Sequence, residues 1–185
     1  MRRVMVIAIT AWLAGCAVMG ERQPHRYHLL EPRPAAATPR SGAITTAPTT
    51  AASFYDTQDI VFSRSPGTRG YYQFGHWTER PQRVIQDELA ARYPPAREGY
   101  ILATHLVEAY HDAAAVPGAS RITVTAELIE RAHRTPVARR TFTREAPAPS
   151  HDAAGAVAGF NAAVGAVLDE IVEWADREAA ARSAR

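Results

Sequence analysis

The side chains with reactive potential are few and scattered. The chain has one thiol, Cys16, and seven imidazoles. A protein zinc site needs three or four ligands converging in fixed geometry. His105, His111, His133 and His151 offer no pair at the i, i+4 spacing that aligns two imidazoles on a helix. His105 and His111 would share one side of a regular strand, but six residues apart they are separated by about 20 Å at ~3.3 Å per residue. No metal and no cofactor is expected. A Gly-x-Ser-x-Gly nucleophile elbow and the P-loop pattern are both missing from the sequence, so neither acyl transfer at such a serine nor nucleotide hydrolysis is expected. The residues point to no catalytic group, and the chain reads as a non-enzyme.

Cys16 has a different context. Arg2 and Arg3 are followed by an uncharged, mostly apolar run from Val4 to Leu13. That is the length of a signal-peptide core and too short to cross a bilayer, which takes about 20 apolar residues. The small residues Ala14 and Gly15 stand before the cysteine. Leu13-Ala14-Gly15-Cys16 resembles the bacterial lipobox, in which the sulfur receives a diacylglyceryl group, peptidase cuts before the cysteine, and the freed amine takes a third chain such as palmitate. One thiol excludes an internal disulfide framework. Its remaining roles are a nucleophile, an intermolecular bridge or a modification site, and the flanking residues favour lipidation. The alternative is an ordinary secreted protein with an incidental cysteine. Each buried CH₂ contributes roughly 0.8 kcal/mol, so one chain anchors marginally and three hold firmly. Ala17, with no aspartate directly after Cys16, points to the outer membrane, facing the periplasm.

Bulk composition narrows the partners. All 21 basic residues are arginine, but they are interspersed with 19 acids for a net charge of +2. No strong field for nucleic acid results, and nucleic acid is not an expected partner.

The group Tyr71, Tyr72, Phe74 and Trp77 could meet a lipid or a protein partner, since aromatics are enriched at interface centres. Strand alternation puts Tyr71 with Gln73 on one face and Tyr72 with Phe74 on the other, so one half belongs to the core. Trp174 reads as a core residue, and Glu170, Glu173 and Asp176 as a solvated helix face.

The elements that must position these residues follow from periodicity. Residues 1–15 form the signal peptide; 16–53 are a lipid-anchored lead, of which 31–53, "EPRPAAATPRSGAITTAPTTAAS", reads as a flexible connector. "RYHLL" (26–30) could be a first strand. The folded domain is expected over 54–180, with a tail at 181–185. Strands are expected at 58–64 and 71–77, paired across the turn "SPGTRG". A helix over 78–93 is capped by Thr78, with Pro81 in its first turn. Strands follow at 100–112, 121–131 and 137–145, the last polar enough for a sheet edge. A final helix over 152–180 carries the stripe Val157, Phe160, Val164, Val167, Leu168, Ile171 and Trp174, with Ser150 as its cap. The order predicts an α+β domain with a mainly antiparallel sheet and two helices packed on one face.

The lipobox, the Pro/Ala/Thr-rich lead and "DIVFSRSPGTRGYYQFGHWTERPQRVIQDEL" together resemble the ABC-type transport auxiliary lipoproteins (PqiC-like). The matching positions are Tyr71, Tyr72, Trp77, Pro81 and Leu89, and "AGFNAAVGAVLDEIVEWA" (158–175) is similar to the family's last helix. The resemblance implies an outer-membrane lipoprotein that docks a periplasmic MCE-domain protein. That partner works with an ABC permease and ATPase to move phospholipid or other hydrophobic molecules. Self-assembly into a homo-oligomer is implied by the same likeness. The other reading is an independent periplasm-facing lipoprotein acting in ligand binding or envelope assembly.

Overall fold

The computed structural model describes residues 23–32, 42–93, 95, 96 and 98–184. Cys16 and the lipobox lie outside these residues. The strands are β1 (Arg26–His28), β2 (Ile44–Thr46), β3 (Thr50–Ala51), β4 (Asp59–Ser63), β5 (Gly70–Trp77), β6 (Tyr100–Asp112), β7 (Ala119–Glu130) and β8 (Thr135–Pro147). The helices are α1 (Pro81–Arg92) and α2 (Ala153–Ser183).

Alternation in β7 is as clean in three dimensions as in sequence. Ile122, Val124, Ala126 and Leu128 are all fully buried on one face. The other face carries threonine hydroxyls paired across strands, Thr123 with Thr143 at 3.0 Å and Thr125 with Thr141 at 2.9 Å. This polar face needs no covering layer, whereas the apolar face must be covered. β6, β7 and β8 form an antiparallel meander, and β8 is the outer strand as its polarity predicts. Arg139, Arg140 and Arg144 run along it; charge on an edge strand discourages pairing with a foreign strand.

The long ladders are antiparallel as expected, but the sheet is made mixed by the opposite edge of β6. Three short segments pair with it in parallel, one after another: β2 opposite Tyr100–Leu102, β3 opposite His105 and Leu106, β4 opposite His111 and Asp112. β5 pairs antiparallel with β4, and β1 lies parallel on β5, giving a mixed eight-stranded sheet. Within the described part of the expected connector, residues 44–51 therefore supply two strands. Their composition hides this because segments of three and two residues show no period. They are held by backbone bonds to β6, continued by Ala47 N–H to Leu102 O and Ala52 N–H to Leu106 O, both 2.9 Å. Ile44 is fully buried. The Thr49 and Thr104 hydroxyls bond each other at 2.7 Å inside the protein.

Both helices cover the apolar face. Asp152, not Ser150, caps α2: its carboxylate accepts from Gly155 N–H at 2.8 Å, and the Ser150 hydroxyl donates to it at 2.7 Å. Gly159 lets the helix approach β7, since a Cβ there would sit 2.7 Å from Ser120 Oγ. Further along, Trp174 meets Phe142 edge to face at 5.7 Å, as its expected core role requires. α2 is long and apolar enough to cross a membrane by length and composition, yet its stripe of Val164, Leu168 and Ile171 is buried in the core. α1 begins at Pro81 after an Arg80 without a capping side chain, so Thr78 is not the cap. The Thr78 backbone N–H instead donates to His28 O at 2.9 Å, tying β1 to the helix entry. Ile85 and Leu89 fill the core beneath α1. The expected solvated face of α2 is partly engaged: Glu170 pairs with Arg144, and Asp176 accepts the Tyr93 hydroxyl at 3.2 Å.

The buried threonine pair gives a test of the parallel seam. Thr104→Val leaves the Thr49 hydroxyl unpaired and should cost about 1–3 kcal/mol in urea unfolding. The double variant Thr49→Val, Thr104→Val should recover much of that loss. Equal stability of Thr104→Val and the parent would refute the buried pairing.

Candidate functional site

The site begins with an irregularity in β6. Leu106 pairs with Val124 and Glu108 with Thr123, so Val107 is an extra residue in the ladder. A bulge of this kind exchanges the faces of the strand beyond it. Leu102, Thr104 and Leu106 face the helices before it; Ala109 and His111 do so after it. His105 and His111 consequently do not share a face, contrary to the reading from regular alternation. The Thr50 hydroxyl meets His105 Nδ1 at 2.8 Å on the open side, whereas His111 is fully buried.

The partners of His111 determine its tautomer. Nε2 lies 3.0 Å from the Pro117 carbonyl, which can only accept, so Nε2 carries the proton. Nδ1 then accepts from the Tyr72 hydroxyl at 2.7 Å. His151 Nδ1–H donates to the same carbonyl at 3.2 Å, and the two imidazoles stand edge to face at 5.8 Å. Burial lowers the pKa of His111, outweighing the carbonyl bond that favours its charged form. Burial also raises the pKa of Tyr72.

A cavity of about 590 Å³ opens beside this cluster, between β1, β5 and the start of α2. Its walls include Arg26, His28, Tyr72, Phe74, His151 and Asp152. The pKa of Asp152 is lowered by the Gly155 N–H and then by the Ser150 hydroxyl. That of His28 is lowered by burial and by Arg26, against the opposing pull of Asp152. β5 shapes the wall: between the pairs Asp59–His76 and Val61–Tyr71, β4 supplies only Ile60 while β5 supplies Tyr72, Gln73, Phe74 and Gly75. Gly75 is required there, because a Cβ would lie 2.7 Å from Ala153 Cβ. Gly75→Ala should destabilise the fold by about 1–3 kcal/mol, the usual cost of overpacking.

A hydrogen-bond chain secures the outer strand next to the cavity. His76 Nδ1–H donates to Asp59 Oδ1 at 2.9 Å, leaving Nε2 to accept from His25 Nδ1–H at 2.8 Å. The Thr57 hydroxyl supports the other carboxylate oxygen at 3.0 Å. Tyr27 covers His76 with ring centres 5.5 Å apart.

The four aromatics singled out by sequence separate into three environments. Tyr72 and Phe74 line the cavity. Trp77 is a core residue, 3% exposed, packed edge to face on Phe160 at 5.5 Å. Tyr71 is 43% exposed and stacks on Phe54 at 5.1 Å. Arg26, His28, His151 and Asp152 were not identifiable from spacing, since they come from opposite ends of the domain. Ser150–Asp152 before an apolar run was the only local signal, and it marks a helix start. His133 pairs with Glu130 at 2.9 Å, away from this site. Among the described residues, no three His, Cys, Asp or Glu side chains converge as a metal site. The cavity has cationic, aromatic and carboxylate groups on its walls, an arrangement suited to binding a small polar or amphiphilic group.

The buried imidazole makes stability pH-dependent. The unfolded chain protonates His111 near the usual 6.5, while the folded chain resists until a lower pH. Stability is therefore full above about 6.5 and falls as pH drops toward the folded value. His28, lowered in the same sense by burial and Arg26, adds to this loss, and Asp152 adds another only below its own ordinary range near 3.8. The thermal midpoint should fall between pH 7.5 and 5. In His111→Leu it should be lower at pH 7.5 and fall less steeply across that interval, the remaining slope belonging to His28; an unchanged pH slope would assign the effect elsewhere.

No family model matches the chain, and no curated protein matches it. Solved structures do. The chain is similar to protein XCC0632 from Xanthomonas campestris, a DUF330 protein, with TM-score 0.75 and 25% identity, covering 86% of this chain and all of that one. It shares its fold with a further uncharacterized protein at TM-score 0.63 and 12% identity, over 84% of this chain and 99% of the other. The architecture described above is thus shared with that DUF330 structure, over 86% of this chain and the whole of the other.

Proposed function

We propose that this chain is a non-enzymatic, lipid-anchored auxiliary component of an MCE/ABC-type envelope transport system. It docks the periplasmic MCE-domain partner at the outer membrane for movement of phospholipid or another hydrophobic molecule. The observation that carries this reading is the coincidence of the lipobox at Cys16 with a domain matching a DUF330 structure end to end. The commitments of the polar side chains at the cavity also favour a non-catalytic role. His111, His151 and Asp152 each serve a structural bond to the backbone.

A second reading has its own support. The cavity of about 590 Å³ beside Tyr72 and Phe74 is large enough for a small ligand, as an independent ligand-binding lipoprotein would require.

Cys16→Ser should abolish acylation and leave the unprocessed precursor in the membrane fraction, read by intact mass and by palmitate labelling. Normal labelling of that variant would refute the anchor. Affinity purification of the wild-type chain from detergent extracts should recover an MCE-domain protein. Recovery of none, with the domain folded by circular dichroism, would favour the second reading.

A further inference from the structure

The start of the described chain and its exposed apolar residues lie toward one end of the molecule. β1 runs parallel to β5 with Arg26 opposite Gly75 and His28 opposite Trp77, so Gln23 precedes it toward the Gly70 end of β5. Phe62 links that end to His111 and Gly70, and the pairs Asp112–Ala119 and Ala119–Pro147 continue it across the sheet. The first turn of α2 is at the same end, because Gln23 and Pro24 line the cavity together with His151–Ala154. The large apolar side chains exposed among the described residues are Tyr27, Leu29, Phe54, Tyr71, Val107 and Val116. Continued through β5 and β4, the registers put Tyr27 near the level of Glu108 and Leu29 near that of Leu106, while Val116 lies at the tip of this end, past the pair Asp112–Ala119. Tyr27 and Leu29 are 65% and 58% exposed on the outer strand and just past it, and Val116 is 79% exposed in the β6–β7 loop. The far end, with the β7–β8 turn and the last turn of α2, bears none of them.

Chain length selects what covers this end. From Cys16 to Gln23 there are seven residue steps, which reach at most about 25 Å when fully extended. α2 alone, with 31 residues, is about 46 Å long at 1.5 Å per residue. A lipid on Cys16 therefore keeps the Gln23 end of the domain close to the bilayer. Tyrosine with neighbouring cations and aliphatic side chains suits the headgroup layer, and Arg26 is exposed directly beside Tyr27. We propose that this end of the domain rests on the bilayer, inclined toward its β1 edge so that Val116 at the tip and Tyr27 on the outer strand meet the interfacial layer, with the β7–β8 turn pointing away from it. The inference rests on the lipid-anchor reading and adds an orientation to it. The cavity beside β1 then opens next to the membrane surface, and the opposite end is left for a partner.

The test uses the full chain purified from membranes, with its acylation verified by mass spectrometry, in pure phosphatidylcholine–phosphatidylethanolamine vesicles. Trp77 and Trp174 are buried and give a constant background. Tyr27→Trp adds an emitter at the proposed contact, and His133→Trp adds one at the far turn, where the side chain is 76% exposed. Brominated acyl chains should quench the added emission of Tyr27→Trp and blue-shift it, and should leave that of His133→Trp unchanged. Equal quenching of both, or of neither, overturns the orientation. An acylated protein without selective quenching refutes the orientation alone, because the anchor is then intact. A protein without acyl chains refutes the anchor and the orientation together.

Discussion

At Val107 the long strand β6 takes one residue more than its neighbour β7, and the rest of the site depends on that extra residue. In an unbroken strand of thirteen residues, Leu102, Leu106 and Tyr110 would share the inner face. The bulge turns Tyr110 outward, where the Arg69 guanidinium lies 3.7 Å from its ring centre. It turns His111 inward, beneath the start of α2. A buried imidazole must satisfy both nitrogens, and the two groups within reach are the Pro117 carbonyl and the Tyr72 hydroxyl. Three elements are joined at one ring.

β6 is also the line along which two kinds of sheet meet. On one edge the hairpins to β7 and β8 need only short turns and pair along their whole length. On the other edge the chain returns three times in the parallel sense, and each return is brief. Such short strands gain little from their own pairing; they persist because β6 is already fixed by β7 and by the helices behind it. The threonine face opposite the helices shows why a second layer is unnecessary, since its hydroxyls bond one another in pairs.

The cavity occupies the corner where these arrangements meet. β5 loops four residues past one of β4, which draws Tyr72 and Phe74 to the start of α2, and Gly75 allows the helix to pass close by. β1 closes the outer side through its parallel pairing and the His25–His76–Asp59 chain. The polar groups here hold the corner together through bonds to the backbone.

Much of the architecture is legible in the sequence because it rests on local periodicity. The alternation in 121–131, the stripe from Val157 to Trp174 and the polarity of 137–145 each reflect which face meets water, and each element formed accordingly. The resemblance of Leu13-Ala14-Gly15-Cys16 to a lipobox is likewise a local pattern, carried by four adjacent residues. Tertiary structure alone decided the strands within 44–51, the inward turn of His111, the division of Tyr71, Tyr72, Phe74 and Trp77, and the cavity shared by Arg26, His28 and His151. Those features depend on backbone hydrogen bonds and bulges. Neither has a side-chain period, and together they gather residues as distant in the chain as Arg26 and His151.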